Sequence, residues 1–249
     1  MRLLVSVRSA AEVAPALAGG ADIIDAKDPA QGSLGAVSSA ALVKIAQAVP
    51  PGVSLSVALG DLHDPVAAER AVAGACRATG QRSELYLKLG LAGTPNLADA
   101  AMIATAAVAA AGRRSAHVVL VAYADPEWAA SPGPEQVIAI ARRAGADGLL
   151  LDTFRKEGLS LTHCLADAEL ASWVDRARGT VGLVALAGSL DLDELRRVGR
   201  LPAGVVGVRG AACTGGRMGA VSETKVRALK AALLSQAPAG LTRIARSGG

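Results

Sequence analysis

Eight short runs of Val, Leu and Ile alternate with eight Ala-rich stretches along this chain, and that alternation restricts the fold more than any other feature. The runs are LLVSV (3–7), DIIDA (22–26), SLSVAL (54–59), ELYLK (84–88), HVVLVAY (117–123), GLLLD (148–152), VGLVALA (181–187) and GVVGV (204–208). Stretches with amphipathic helical spacing occupy 10–18, 38–48, 65–79, 97–112, 134–144, 164–178, 191–199 and 222–235. A strand followed each time by a helix is the pattern of a parallel α/β sheet. The strand segments are almost wholly apolar, as expected when both faces are covered. Eight such units in 249 residues favour a single closed (β/α)8 TIM barrel over an open sheet. No long linker interrupts the pattern. Residues 1–236 therefore read as one barrel domain and 237–249 as a flexible C-terminal tail. AGGADIID (18–25) and AGADGLLLD (144–152) echo each other at the second and sixth units. A half-barrel duplication and a common αβ turn both account for that echo.

Composition narrows the function classes. Aromatic residues make up only 2% of the chain, so the core must be built from Val, Leu, Ile and Ala. A reader of single-stranded nucleic acid needs stacking aromatics, and this chain has almost none. The net charge is +4, but arginines adjoin only as the pairs Arg113-Arg114, Arg142-Arg143 and Arg196-Arg197. These pairs fall near helix C-termini, where cations complement the dipole, and form no nucleic-acid patch. A mild positive field suits anionic substrates. Cys76, Cys164 and Cys213 are odd in number and widely spaced, which fits neither a disulfide framework nor a zinc ribbon. The expected setting is reducing and cytoplasmic. The apolar run at the N-terminus is interrupted at Arg8, too early for a membrane span, and reads as a first strand.

Lysine placement points to chemistry. The chain has only six lysines against twenty arginines, and three of them, Lys27, Lys88 and Lys156, stand at or just past the ends of strands two, four and six. A guanidinium stays protonated, whereas a desolvated or crowded ammonium can lose its proton and attack a carbonyl. Barrel active sites lie at the C-terminal strand ends. Asp25 and Lys27 share a strand face at i and i+2, and Asp152 ends strand six. Asp25 alone would raise the lysine's pKa, and nearby cations or burial would offset it. The loops ALAGSLD (185–191) and GVRGAACTGGR (207–217) end strands seven and eight, the usual phosphate site of this architecture. Gly188, Ser189, Arg209 and Gly210 are the phosphate-binding candidates, the first loop also opening a helix whose N-terminus favours negative charge. The loop DPAQGSLGA (28–36) is a candidate lid, anion contact or spacer. Asp61, His63 and Asp64 lack metal-ligand spacing, and no metal or other cofactor is expected. Cys213 reads as a packing residue. Tyr123 and Asp125 could assist proton transfer or pack the rim.

The blocks LLVSVRSAAEVAPALAGGADIIDAKDPAQGSLGA, YLKLGL, LLLDTFRKEG, ALAGSL and GVRGAAC resemble the (5-formylfuran-3-yl)methyl phosphate synthase family. The resemblance runs from Met1 to about Leu234. It implies a lyase of methanofuran biosynthesis, similar to class I aldolases, that joins two molecules of glyceraldehyde 3-phosphate and releases phosphate and water. Lys27 would be the Schiff-base lysine, with Asp25, Lys88, Asp152 and Lys156 as its polar partners. It also implies a homo-oligomer acting on a small phosphorylated aldehyde, without nucleic acid or membrane. Another class I aldolase acting on a phosphorylated sugar shares the same site logic. A non-catalytic phosphate-binding barrel would keep the glycine loops and need no amine.

Overall fold

The computed structural model describes residues 1–82 and 84–235, and the tail expected over 237–249 lies outside the described residues. Eight parallel strands pair in sequence order and close on themselves: β1 (Arg2–Val7), β2 (Ile23–Ala26), β3 (Ser54–Asp61), β4 (Leu85–Gly90), β5 (His117–Tyr123), β6 (Gly148–Asp152), β7 (Leu183–Leu186) and β8 (Val205–Val208). Closure is the β1–β8 pairing, with Arg2 opposite Val205 and Val5 opposite Val208. Around the barrel run α1 (Val13–Ala18), α2 (Ser39–Ala48), α3 (Pro65–Thr79), α4 (Leu97–Gly112), α5 (Pro126–Ala129), α6 (Pro134–Ala144), α7 (Leu161–Cys164), α8 (Asp167–Arg178), α9 (Leu192–Val198) and α10 (Glu223–Leu234). A small antiparallel ribbon, β9 (Cys213–Thr214) with β10 (Ala220–Val221), follows β8. The (β/α)8 expectation holds. No helix of the described residues is long and apolar enough to cross a membrane.

Side-chain alternation sorts the core into two parts. Odd positions of β1 (Leu3, Val5, Val7) and of β4 (Leu85, Leu87, Leu89) join the large cluster packed under the helices. The intervening positions on the other strands, among them Ile23, Val119, Val121, Leu150, Ala185 and Val205, form a second cluster inside the barrel. Each fully buried Leu or Val contributes about 1.5–3 kcal/mol. Along the inner register the chain places small or polar residues: Ser6 pairs with Asp25, and Asp25 pairs with Ser56. Gly207 and Ala185 do the same on the opposite wall, so the inner core thins out and a cavity opens above it.

Local signals set the helix ends. Asp64 caps α3 by accepting from the Ala67 N–H at 2.8 Å, with Pro65 in the first turn. Asn96 caps α4 through the Ala98 and Asp99 N–H groups. The helix expected over 164–178 is α8, starting at Asp167, and a separate one-turn helix, α7, precedes it, where the Leu161 N–H bonds across to the Gly188 carbonyl at 2.9 Å. Trp173 is buried on α8 and donates to the Pro134 carbonyl at 3.3 Å, whereas Trp128 is 62% exposed beneath the Arg155 guanidinium.

Candidate active site at the C-terminal mouth of the barrel

A cavity of about 390 Å³ opens at the C-terminal strand ends, and all nine residues singled out from the sequence line it: Asp25, Lys27, Lys88, Asp152, Lys156, Gly188, Ser189, Arg209 and Gly210. The charged groups come from β2, β4, β6, β8 and the segments just beyond them. Strand alternation aims Asp25 and Lys27 inward while Ile24 and Ala26 pack outward.

Two of the three lysines are paired. Lys88 donates to Asp25 Oδ2 at 2.7 Å, and Lys156 donates to Asp152 Oδ1 at 2.5 Å. Asp25 Oδ2 also accepts from Ser6 Oγ at 2.7 Å, and Asp152 Oδ1 from the Thr153 N–H at 2.8 Å. Burial pushes the Asp25 carboxyl up, but Lys88, Lys27 and the hydrogen bonds from Lys88 and Ser6 outweigh it and hold it below 3.8. Burial likewise raises Asp152, and Lys156 and Lys27 overcome it, so Asp152 too is held down as a carboxylate.

Lys27 stands between these pairs. It is buried, 8% exposed, and forms no salt bridge among the described residues. Burial is the strongest influence on its amine and lowers its pKa. Asp152 opposes that, Lys88 and Lys156 add to it, and Asp25 opposes it again, leaving about 7 in place of the usual 10.5. Near neutral pH, then, a large share of Lys27 is free amine, the nucleophilic form. Two polar atoms of the cavity floor, Asp25 Oδ1 and Ser56 Oγ, are buried with no hydrogen-bond partner. Unpaired buried groups cost about 1–3 kcal/mol each and are uncommon away from functional sites. Ser6, Ser56 and Arg217, which also line the cavity, were not among the sequence candidates. The two serines carry a readable signal, since each is a polar residue at an inward position of an otherwise apolar strand.

The glycine loops close the other wall. Gly188 has φ +118°, and a Cβ there would meet Thr153 Cγ2 at 3.0 Å, so both conformation and space require glycine. Ser189 follows at φ +52°, an uncommon left-handed position for a non-glycine residue. At the N-terminus of α9 a capping box takes two donors: Asp191 accepts from the Glu194 N–H and Glu194 accepts from the Asp191 N–H. An anion at this loop would meet the Gly188–Ser189 backbone beside that helix end.

Arg209 departs from its expected part. Its Nε donates to the Arg217 carbonyl, Nη1 to the Ser6 carbonyl and Glu12 Oε2, and Nη2 to Glu12 Oε1 and the Gly219 carbonyl. All five guanidinium donors are occupied. The side chain ties the loop after β8 to β1 and leaves only its main chain to face an anion. The loop after β2 is also pinned: Arg217 Nη2 donates to the Pro29 and Gly32 carbonyls at 3.1 and 3.0 Å, and Ser33 Oγ donates to Tyr123 Oη at 3.3 Å. Tyr123 in turn donates to Asp61 at 2.7 Å, and Asp125 accepts from the Phe154 and Arg155 N–H groups, so both serve to hold the rim loops. Cys213 is buried in the ribbon, where burial pushes its thiol pKa up. No group of three or more His, Cys, Asp or Glu among the described residues is placed to hold a metal ion.

An eight-stranded barrel with charged side chains converging at its strand ends defines a TIM-barrel enzyme. In fold the chain is similar to 3-hexulose-6-phosphate synthase from Salmonella typhimurium, with a TM-score of 0.66 and 15% identity over 95% of this chain and 100% of that one. Phosphoribosyl anthranilate isomerase from Thermus thermophilus gives a TM-score of 0.61 at 20% identity, over 94% and 99% of the two chains. A sequence model of 4-HFC-P synthase matches residues 3–230. The (5-formylfuran-3-yl)methyl phosphate synthase of Methanothermobacter thermautotrophicus is 35% identical over 234 residues, 92% of this chain and 98% of that protein. The protein of the same name from Methanopyrus kandleri is 37% identical over 237 residues, 93% and 98%. The chain belongs to the 4-HFC-P synthase family of enzymes.

Proposed function

We propose that this enzyme condenses two molecules of glyceraldehyde 3-phosphate to (5-formylfuran-3-yl)methyl phosphate through an imine on Lys27, supplying methanofuran biosynthesis. The observation that carries the reading is a buried, unpaired amine with a pKa of about 7, flanked by two carboxylates and two further cations in one cavity. Lys27 adds to the aldehyde of one triose phosphate, and water leaves as the imine forms. The protonated imine is an electron sink that acidifies the neighbouring C–H. A base takes that proton, and the electron pair moves through the conjugated system to expel the phosphate from C3. The terminal carbon of the remaining three-carbon unit then becomes a nucleophile. The second triose phosphate first isomerises, its C2 proton passing to the aldehyde carbon so that C2 becomes a ketone and C1 a CH2OH group; the branched skeleton of the product requires the nucleophile to add to that C2 carbonyl. A hydroxyl then closes the ring, dehydration makes it aromatic, and hydrolysis frees Lys27. Two triose phosphates thus yield the furan phosphate, one phosphoric acid and two waters, which balances every atom.

The Asp152–Lys156 pair is assigned to proton transfer, since its lysine can donate and its carboxylate can accept within one hydrogen bond. Lys88, locked on Asp25, keeps Lys27 from holding its proton and presents charge to a phosphate. The backbones of Gly188–Ser189 and Arg209–Gly210 are assigned to the retained phosphate. Borohydride reduction in the presence of glyceraldehyde 3-phosphate, followed by peptide mapping, should place a three-carbon adduct on Lys27. An adduct on Lys88 or Lys156 overturns the assignment. Turnover of glyceraldehyde 3-phosphate alone should release phosphate and develop near-ultraviolet absorbance, whereas a simple aldolase gives neither.

A further inference from the structure

We infer that Arg217, rather than Arg209, is the guanidinium that holds a substrate phosphate, an inference that rests on the phosphorylated-triose reading above. Both arginines line the cavity from the same Gly-rich loop, and their hydrogen bonds separate them. Arg209 has no donor left, as its five N–H groups go to Glu12 and to three backbone carbonyls. Arg217 has both Nη2 hydrogens on the Pro29 and Gly32 carbonyls, while its Nε and Nη1 groups donate to no protein atom among the described residues. Three donors therefore remain, one on Nε and two on Nη1, and each can meet a phosphate oxygen with a charge-assisted hydrogen bond.

Its position fits the same ligand. Gly210 lies against Arg217, a Cβ at 210 falling 3.8 Å from Arg217 Cβ, so the side chain starts beside the glycine loop assigned to the phosphate. The guanidinium senses Asp152 and Glu157 electrostatically, which places its charge on the catalytic side of the loop. Arg209 supports this arrangement from behind, since its Nε holds the Arg217 carbonyl at 3.0 Å. One arginine builds the loop, and the other presents its donors to the cavity. Because Arg217 also grips the turn two residues beyond Lys27, a phosphate on its remaining donors is tied to the segment that carries the amine.

The test compares glyceraldehyde 3-phosphate with glyceraldehyde, which has the same carbonyl and no phosphate. Each is used to half-saturate borohydride trapping in the wild type, Arg217→Met and Arg217→Lys. Arg217→Met should raise the half-saturating concentration of the phosphate ester by roughly tenfold to a hundredfold, the scale of charge-assisted hydrogen bonds, and leave that of glyceraldehyde unchanged. Arg217→Lys should fall between the two for the ester, because the charge is kept while the planar, directed donors are lost. An equal loss for both aldehydes makes Arg217 a mere loop tether and overturns the inference, as does no loss for either. Calorimetric titration with inorganic phosphate separates this question from the reaction. If the wild type traps neither aldehyde, the Schiff-base reading falls, and a tenfold weaker phosphate affinity in Arg217→Met still supports the arginine's part. Equal phosphate affinity in wild type and variant overturns it.

Discussion

Replacing Lys27 with Met probes the amine through folding alone, with no substrate present. In the unfolded chain a lysine titrates at 10.5, and in the fold Lys27 titrates at about 7. Between those values the unfolded chain binds a proton that the folded one lacks. Stability therefore rises with pH across this window, and the native state is at its worst below about pH 7, where the buried ammonium is charged. The full penalty there is roughly 5 kcal/mol, at about 1.4 kcal/mol for each pH unit of the window. Methionine fills a similar volume and does not titrate. At pH 6 the Lys27→Met protein should be the more stable by up to about 5 kcal/mol, and at pH 9 by only about 2 kcal/mol. Asp25 and Asp152 are held below 3.8 and stay ionised throughout this range, so they do not blur the comparison. Urea denaturation of both proteins at the two pH values measures the gap. A gap that is the same at pH 6 and pH 9 would falsify the argument, since it would mean that Lys27 keeps an ordinary lysine's titration inside the fold.

Three further outcomes follow from the same geometry. Asp152→Asn removes the charge that most opposes deprotonation of Lys27, so the pH midpoint of imine trapping should move below about 7 while turnover falls. Trapping rate against pH reads the first effect and phosphate release the second. Glu12→Gln leaves the buried Arg209 guanidinium without its charge partner, and the urea midpoint should drop by an amount equivalent to about 3–5 kcal/mol. Ser56→Ala deletes a buried hydroxyl that has no partner, so thermal unfolding should occur at the same or a higher temperature, with a gain of about 1 kcal/mol.

The barrel was legible because its information is local and periodic. Each strand repeats every two residues, so Leu87 and Leu89 facing the helices already imply that Tyr86 and Lys88 face the axis. The same parity made the lysines legible: a charge at an inward position near a strand end has only the cavity to enter. Ser6 and Ser56 obeyed the rule too, and weighing small polar residues as heavily as charged ones would have found them. The short α7 turn was not legible, because Leu161 is held by the carbonyl of Gly188 on the next strand's loop, whereas the start of α8 is marked locally by Glu169 accepting from the Ala166 N–H. The two loop arginines are the sharpest instance. Arg209 and Arg217 look alike in a Gly-rich segment, and only Glu12, 197 positions away from Arg209, decides between them by taking both Nη groups of one. A side chain's residue type is local, but the number of its donors left free depends on the whole fold. Site readings from sequence should therefore be most secure for groups defined by strand parity, such as Lys27, and least secure for arginines in loops, whose availability is fixed by partners that close only on folding.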